Sequence, residues 1–169
     1  QQDSPLFYEN FLKEIETVGQ LEHPNMVQAY DALEYEGYLF LVMELLAGDP
    51  LHSLVSKGRR LTVHELLQVM TGICEAISHL HANGYLHLDI KPANIMLLDN
   101  GTTKLIDYGL AVRRDAIRSG GLSYGTVGYM PPEQQSAGIV GERTDIFVTG
   151  KVLQFLLMTA VGPDPVQHD

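Results

Sequence analysis

The chain has 169 residues, of which 45% are hydrophobic and 19% charged, enough for one globular domain with its own core. The formal net charge of -10 argues against a nucleic-acid or anionic-membrane binder, because such proteins usually carry a basic surface. The single cysteine, Cys74, excludes an internal disulfide framework and favours a cytoplasmic setting. The most apolar stretch, 146–160, is too short to cross a bilayer, so no membrane segment is expected in this chain.

The first predicted element is an amphipathic helix that begins with a capping side chain and a proline at 3–5. Glu14 lies within its apolar arc, where a carboxylate needs a cation or hydrogen bonds unless it reaches water at the edge of the stripe. The helical wheel leaves both possibilities open. The apolar face is formed by Phe7, Phe11, Ile15, Val18 and Leu21.

Two strand-like runs follow, at 26–33 and 38–45, joined by a polar turn at 34–37. The residues at 47–50 are typical of a connector, and 50–56 predicts a short helix. The clearest helix comes next. It begins with a capping box that pairs Thr62 with Glu65 and ends at Asn83 and Gly84. Its 3.6-residue apolar period runs through Val63, Leu66, Leu67, Met70, Ile73, Cys74, Ile77 and Leu80.

The second half of the chain is less regular. Short strands and loops are predicted for 85–110, with a hairpin turn at 99–101. The segment 113–135 is long, rich in Gly and Ser, and irregular, and such loops are often functional. The final run, 144–160, is apolar nearly all round, which predicts a helix buried on every side.

Four polar residues on two neighbouring loops indicate phosphoryl-transfer chemistry. The segment 85–98 places Asp89, Lys91 and Asn94 on one loop, and the next strand ends at Asp107. Phosphoryl transfer requires a group that orients the attacking hydroxyl and a cation that neutralises charge on the transferred group. It also requires oxygen ligands for Mg²⁺, which a carboxylate and an amide supply.

Three segments resemble the signature motifs of protein kinases. HLDIKPAN at 87–94 is similar to the catalytic loop, and DYG at 107–109 is similar to the metal-binding triplet. GTVGYMPPE at 125–133 looks like the end of an activation segment, where Pro-Pro-Glu replaces the usual Ala-Pro-Glu. The runs KPANIMLL and GTVGYMPPEQ are most similar to bacterial serine/threonine kinases.

The resemblance implies a role for each of these residues. Asp89 would be the catalytic base, and Lys91 would contact the transferred phosphoryl group. Asn94 and Asp107 would bind Mg²⁺ and, through it, the phosphates of ATP. Lys91 together with Thr126 follows the serine/threonine pattern, so the acceptor would be a Ser or Thr hydroxyl of a protein substrate.

The segment LFLVMELL at 39–46 resembles the last strand of the kinase small lobe and the hinge. Met43 would be the gatekeeper. The Glu44 carbonyl and the Leu46 amide would bind the adenine edge, and Asp49 would reach the ribose. These hinge contacts are made by the backbone, so side-chain identity tests them little.

Other residues gain roles from the same resemblance. The run 11–27 is similar to helix C, which would pair Glu14 with the strand-3 lysine. Met96 would join the nucleotide-contacting set. Asp145 would hold the backbone of the catalytic loop, and His87 would pack in the core. The activation segment would end at Glu133, whose usual arginine partner lies in later helices.

Several features depart from the family pattern. Only 13 residues precede Glu14, too few for the glycine-rich loop and the strand-3 lysine, and the chain stops after its last helix. The sequence is therefore typical of a fragment cut at both ends, whose isolated form would be weak or inactive. Leu88 replaces the arginine that usually holds a phosphorylated activation loop, which argues against such phosphorylation as the main switch. Tyr108 replaces the phenylalanine of the metal-binding triplet.

Two other functions share part of this pattern. A pseudokinase or kinase-like interaction module would have lost base and metal residues, whereas Asp89, Lys91, Asn94 and Asp107 are all present. A small-molecule kinase of the aminoglycoside-phosphotransferase type has a similar Asp, Asn and Asp set, but not the GTVGYMPPE activation segment.

The sequence therefore predicts a single α+β domain with the two-lobed fold of protein kinases. Residues 1–46 would form a partial small lobe with helix C, strands 4 and 5 and the hinge. Residues 47–169 would form a mainly helical large lobe that ends after helix F. The expected reaction transfers the γ-phosphoryl group of ATP, with Mg²⁺, to a Ser or Thr of a protein.

Overall fold

The computed structural model describes residues 21–107, 111–117, 126, 128–136 and 139–160. The helix predicted to begin at 3–5, with Glu14, lies outside the described residues, and so does Tyr108. The described elements form the small antiparallel sheets and the larger helical part of an α+β fold, as the sequence predicts. The division into lobes at residue 46 stays a prediction.

Three small antiparallel sheets contain the seven described strands. In the first, β1 pairs with β2, and Glu36 and Gly37 form the tight turn between them, both with positive φ. The second sheet has the order β3-β5-β6, and the third pairs β4 with β7. The strands are β1 (Ala29–Tyr35), β2 (Tyr38–Met43), β3 (Gly48–Pro50), β4 (Tyr85–Leu86), β5 (Ile95–Leu98), β6 (Thr103–Leu105) and β7 (Val112–Arg113).

Strand β3 corrects the prediction of a connector at 47–50. Its backbone pairs with β5, with Asp49 opposite Leu97. Gly48 permits this approach, because a side-chain carbon there would collide with the Leu97 carbonyl oxygen. The strand was missed because Gly, Asp and Pro have low strand propensity, and its partner lies far along the chain.

The turn predicted at 99–101 joins β5 to β6. Leu98 N donates to Thr102 O at 2.9 Å, and Thr102 N donates to the Asn100 side chain at 2.9 Å. Gly101 has φ 84°, a conformation that residues with a side chain rarely adopt. The hairpin prediction is confirmed, and the turn directs β6 back toward the catalytic loop.

The longest helix confirms its predicted capping box. Thr62 Oγ1 accepts from Glu65 N at 3.1 Å, and Thr62 N donates to the Glu65 carboxylate at 2.8 Å. Among the described residues, no helix is both long enough and apolar enough for a bilayer crossing. The helices are α1 (Leu51–Ser56), α2 (Val63–Ala82), α3 (Pro132–Gln135) and α4 (Glu142–Thr159), with 3₁₀ turns at Pro92–Asn94 and Arg114–Ala116.

The main core lies between α2, α4 and the sheet that contains β5 and β6. The buried face of α2 packs against one face of α4 and against the inner residues of these strands. Val63, Leu67 and Cys74, which the predicted apolar stripe included, are exposed, because the buried face is rotated toward Val69 and Ala76. Burial of this shared surface is the main stabilising contribution to the fold. The fully buried members include Val69, Ile73, Leu80, Ile95, Leu105, Val152 and Leu156.

The prediction that the last helix is buried on every side is wrong for the described residues. Val148, Val152 and Leu156 form the buried stripe of α4. Ile146 and Met158 lie on other faces and are 61% and 74% exposed. The described elements cover only the side of α4 that faces α2, so the helix has more apolar surface than these neighbours bury.

Candidate active site

The catalytic-loop segment 87–94 is held by a fully buried carboxylate at the start of α4. Asp145 Oδ2 accepts from His87 N at 2.9 Å, and Oδ1 accepts from Leu88 N at 2.8 Å. The structural role expected of Asp145 is therefore confirmed. Hydrogen bonds to a charged acceptor are among the stronger ones in proteins, so this contact fixes the entry to the loop.

Two further side chains fix the same loop and were missed in the sequence. His81 Nε2 lies 2.8 Å from Asp145 Oδ2. Gln134, buried in α3, donates from Nε2 to Leu88 O at 3.0 Å. Nothing in the local sequence pattern singles out Gln134 or His81 as a support of the loop. The ring of His79, two residues earlier, stacks on the His23 ring with the centroids 5.0 Å apart.

Asp89 is the centre of a four-residue polar cluster. Its Oδ2 accepts from Lys91 Nζ at 2.6 Å and from Asn94 Nδ2 at 3.2 Å. Its Oδ1 accepts from Thr126 Oγ1 at 2.7 Å, and Lys91 Nζ also donates to that hydroxyl at 3.0 Å. The structure therefore places a carboxylate and an ammonium group on the same hydroxyl oxygen.

Asn94 connects this cluster to the segment that contains Asp107. Asn94 Nδ2 donates to both the backbone oxygen and the carboxylate of Asp89, so Oδ1 is the amide atom that remains to coordinate a cation. Ile106 N donates to Asn94 O at 3.0 Å, which brings the residue before Asp107 beside the loop. Asp107 itself is exposed. Asn94 and Asp107, the two residues predicted to bind the metal, thus lie on adjacent segments.

His87 packs in the core, as expected, and is 1% exposed. Burial lowers the pKa of its imidazole, although the nearby Asp145, Asp107 and Asp89 pull that pKa upward. Asp89 N donates to His87 Nδ1 at 3.3 Å, which requires that nitrogen to be an acceptor. His87 is therefore neutral at physiological pH and supports the loop.

Leu88 occupies an apolar site where the family usually has arginine. Its side chain is 2% exposed and packs with Leu86, Val140, Val112 and Ile117. The backbone has φ 63°, an uncommon conformation for a residue with a branched side chain. This apolar cluster connects the catalytic loop to β7 and to the segment that follows it.

Replacing Leu88 with Arg is expected to lower stability and not to raise activity. The longer side chain overpacks the apolar cluster, which costs about 1–3 kcal/mol, and its charge would be buried among apolar side chains. Urea unfolding measures the loss, and a phosphoryl-transfer assay on the same sample measures activity. Leu88→Met, similar in volume, is the control. Activity seen only in the Arg variant would mean that Leu88 itself silences the site.

The predicted nucleotide-binding residues lie in two sheets and in the segment that joins them. Met43 ends β2 and is partly exposed, and Leu46 packs against the main core. Met96 lies in β5, opposite Pro50. Asp49 lies in β3, where both carboxylate oxygens accept from Lys57 Nζ at 3.0 Å. Asp49 is thus already paired with a surface cation.

The Glu44 side chain has contacts that the sequence did not predict. Its carboxylate accepts from Lys104 Nζ at 2.5 Å and from Gln28 N at 2.8 Å. The sequence predicted a role only for the backbone carbonyl of Glu44, as an adenine contact. Glu133, at the end of the activation segment, also has a described partner, since its Oε1 accepts from Thr144 Oγ1 at 3.1 Å.

The fold and this loop define the class of protein, the catalytic domain of a protein kinase. The family profile described as "Protein kinase domain" matches residues 1–165. The chain belongs to this family. The matched range includes all the segments that resemble kinase motifs.

Named relatives include bacterial serine/threonine-protein kinases and an animal myosin light chain kinase. A probable serine/threonine-protein kinase of Streptomyces coelicolor is 34% identical over 96% of this chain and 26% of its own length. Serine/threonine-protein kinase PrkC of Bacillus subtilis is 35% identical over 93% of the chain and 24% of its own length. Smooth-muscle myosin light chain kinase of Gallus gallus is 34% identical over 92% of the chain and 8% of its own length. The chain thus spans about a quarter of these bacterial relatives.

Proposed function

We propose that the protein containing this chain is a serine/threonine protein kinase that transfers the γ-phosphoryl group of ATP to a hydroxyl of a protein substrate. The observation that carries the proposal is the contact of one hydroxyl with both Asp89 Oδ1 and Lys91 Nζ. Family membership and relatives named as serine/threonine kinases support it. We place the proposed reaction in the cytoplasm, a setting that the single cysteine, Cys74, favours.

The arrangement suits a base and a neutralising cation. A general base must lie within hydrogen-bond reach of the proton that it takes, and Asp89 lies 2.7 Å from the Thr126 hydroxyl. A substrate Ser or Thr hydroxyl presented to the same carboxylate would be oriented for attack and would lose its proton to Asp89. Lys91, which reaches the same oxygen, would neutralise charge on the transferred group.

The donor set also fits magnesium. Mg²⁺ is usually held by one or two carboxylates and further oxygen ligands, together with substrate phosphates. Asp107 offers an exposed carboxylate, and the amide of Asn94 is oriented by its bonds to Asp89. When bound, the ion would neutralise phosphate charge and orient the γ-phosphoryl group. The proposed adenine contacts are the Glu44 carbonyl and the Leu46 amide. Met43, Asp49 and Met96 would lie around the nucleotide, and Glu14 would pair with the strand-3 lysine.

Asp107→Asn in the full-length protein is expected to lower kcat/KM for Mg-ATP by about two orders of magnitude or more, because the variant loses a charged metal ligand. The melting temperature should not change, since Asp107 is exposed. The assay follows labelled γ-phosphate into a generic Ser/Thr substrate across a Mg²⁺ titration.

Asp99→Asn removes an exposed carboxylate from the turn between β5 and β6 and is the matched control. Wild-type turnover in the Asp107 variant would contradict the metal assignment. Mg-ATP binding by the wild type without any turnover would identify a nucleotide-binding pseudokinase instead.

A further inference from the structure

The side chain of Lys104 joins three parts of the chain. Lys104 lies in β6, and its Nζ donates to Glu44 Oε1 at 2.5 Å and to Met26 O at 3.1 Å. The same Glu44 oxygen accepts from Gln28 N at 2.8 Å, while Glu44 N donates to Gln28 O at 2.9 Å. One ammonium group therefore connects β6 to the residue that follows β2 and to the segment before β1.

The backbone around this contact is itself fixed to β6. Val27 N donates to Leu105 O, and Leu105 N donates to Asn25 O, both at 2.9 Å. The Asn25 side chain adds a bond to Thr103 O at 2.8 Å. Because both neighbours of Met26 are held in this way, its carbonyl is a fixed anchor for the ammonium group. Glu44 is the point at which this anchored network reaches the predicted hinge.

The pair is shielded from solvent. The Lys104 and Glu44 side chains are 14% and 21% exposed, whereas those of the Arg113 and Asp115 pair are 61% and 67% exposed. Partial burial alone would raise the pKa of the Glu44 carboxyl, but hydrogen bonds from Lys104 and Gln28 outweigh it and hold that pKa below its usual value. Such a pair is screened less by salt than an exposed one and restrains its members more.

We propose that Lys104 is a positioning residue for nucleotide binding, which fixes the Glu44 backbone at the adenine site. The inference rests on the proposed function, in which the Glu44 carbonyl and the Leu46 amide bind the adenine edge. Hydrogen bonds weaken steeply when donor and acceptor are misaligned, so a fixed Glu44 presents its carbonyl in the bonding direction. Lys104 also lies on the strand that leads to Asp107, so its side chain would fix the position of the adenine site relative to the metal site.

Lys104→Met in the full-length protein is expected to raise KM for ATP about tenfold, the size expected for loss of a charge-assisted hydrogen bond that orients a ligand group. The Kd of adenosine, measured by calorimetry, should rise by a similar factor, because adenosine reports on the base site without phosphates or metal. kcat should change by less than about twofold. Lys104→Arg should restore most of the affinity.

Lys151→Met on α4 is the matched control, since its described contacts are an exposed bond to Gln154 and the Phe147 ring. Glu44→Gln keeps an oxygen for Gln28 N and removes only the charge, so it tests the same pair if the Lys104 variant folds poorly. The double variant should have the KM of either single variant, because the two residues act as a unit.

Unchanged KM and adenosine affinity in both variants would overturn the inference. A raised kcat at unchanged KM would also overturn it, because that result would mean that Lys104 restrains a motion of the enzyme and does not orient Glu44. A fall in both kcat and KM that Lys104→Arg does not restore would also overturn the inference. These results leave the proposed function standing, because the wild type is active in each of them. A wild type that neither binds ATP nor transfers phosphate overturns both.

Discussion

Asp89→Asn is expected to lower kcat for phosphoryl transfer by about 10²–10⁴-fold, the contribution typical of a general base. The amide fills the same volume, but its single oxygen can accept from only one of Lys91 Nζ and the Thr126 hydroxyl, which donate to different oxygens of Asp89. It cannot take the proton of an attacking hydroxyl at neutral pH. KM for ATP should change little, because no nucleotide contact is assigned to Asp89. Initial rates with labelled ATP and a generic Ser/Thr substrate measure both constants.

Asp115→Asn is the matched control for this experiment. Asp115 makes an exposed ion pair with Arg113, away from the Asp89 cluster, so turnover should match the wild type. A melting temperature equal to that of the wild type would show that the Asp89 variant is folded. Turnover within tenfold of the wild type would rule out Asp89 as the base.

Asp145→Ala is expected to destabilise the domain by about 3–5 kcal/mol, the usual loss when one partner of a buried charged network is removed. The substitution leaves the His87 and Leu88 amides without their acceptor, and His81 without its partner oxygen. Each buried donor without an acceptor costs about 1–3 kcal/mol. The midpoint of urea unfolding should fall at an unchanged slope, which marks a change of stability alone.

Activity should fall together with stability in this variant, because the same two amides hold the loop that contains Asp89. Asp145→Asn keeps one acceptor oxygen and should lie between the wild type and the Ala variant. Asp115→Ala, at an exposed position, should leave the midpoint unchanged. An Asp145→Ala protein with the stability and activity of the wild type would mean that the loop is held chiefly by other contacts, such as Gln134.

Local structure was largely predictable because its causes lie within a few residues. The capping box of Thr62 and Glu65 and the turn that contains Gly101 each depend on neighbours in the sequence, and both are confirmed. The helical period of α2 was readable for the same reason, but its buried face was predicted only in part. Leu66, Ile73, Ile77 and Leu80 are buried as predicted, whereas Val63, Leu67 and Cys74 are exposed. Strand β3 was missed because its pairing depends on β5, and the exposure of Ile146 depends on which neighbours cover α4.

The candidate site was likewise predictable only in part. The motif that names Asp89, Lys91 and Asn94 is contiguous, so the residue types and their spacing were readable before any contact was known. The prediction that Asp145 holds the loop came from family resemblance and is confirmed. Gln134 was not predicted, since a glutamine that reaches a carbonyl 46 residues away leaves no periodic signal.

By itself, the sequence determined which reacting groups are present, their order along the chain, and the helices and turns that present them, because these depend on residue type and on near neighbours. Only the tertiary structure decided which side chains support them. The Lys104–Glu44 pair crosses 60 residues, and Leu88 lies in an apolar cluster assembled from β4, β7 and the segment before α4. Such pairings arise from packing between distant segments, where charge and burial are set by neighbours that a local pattern does not contain.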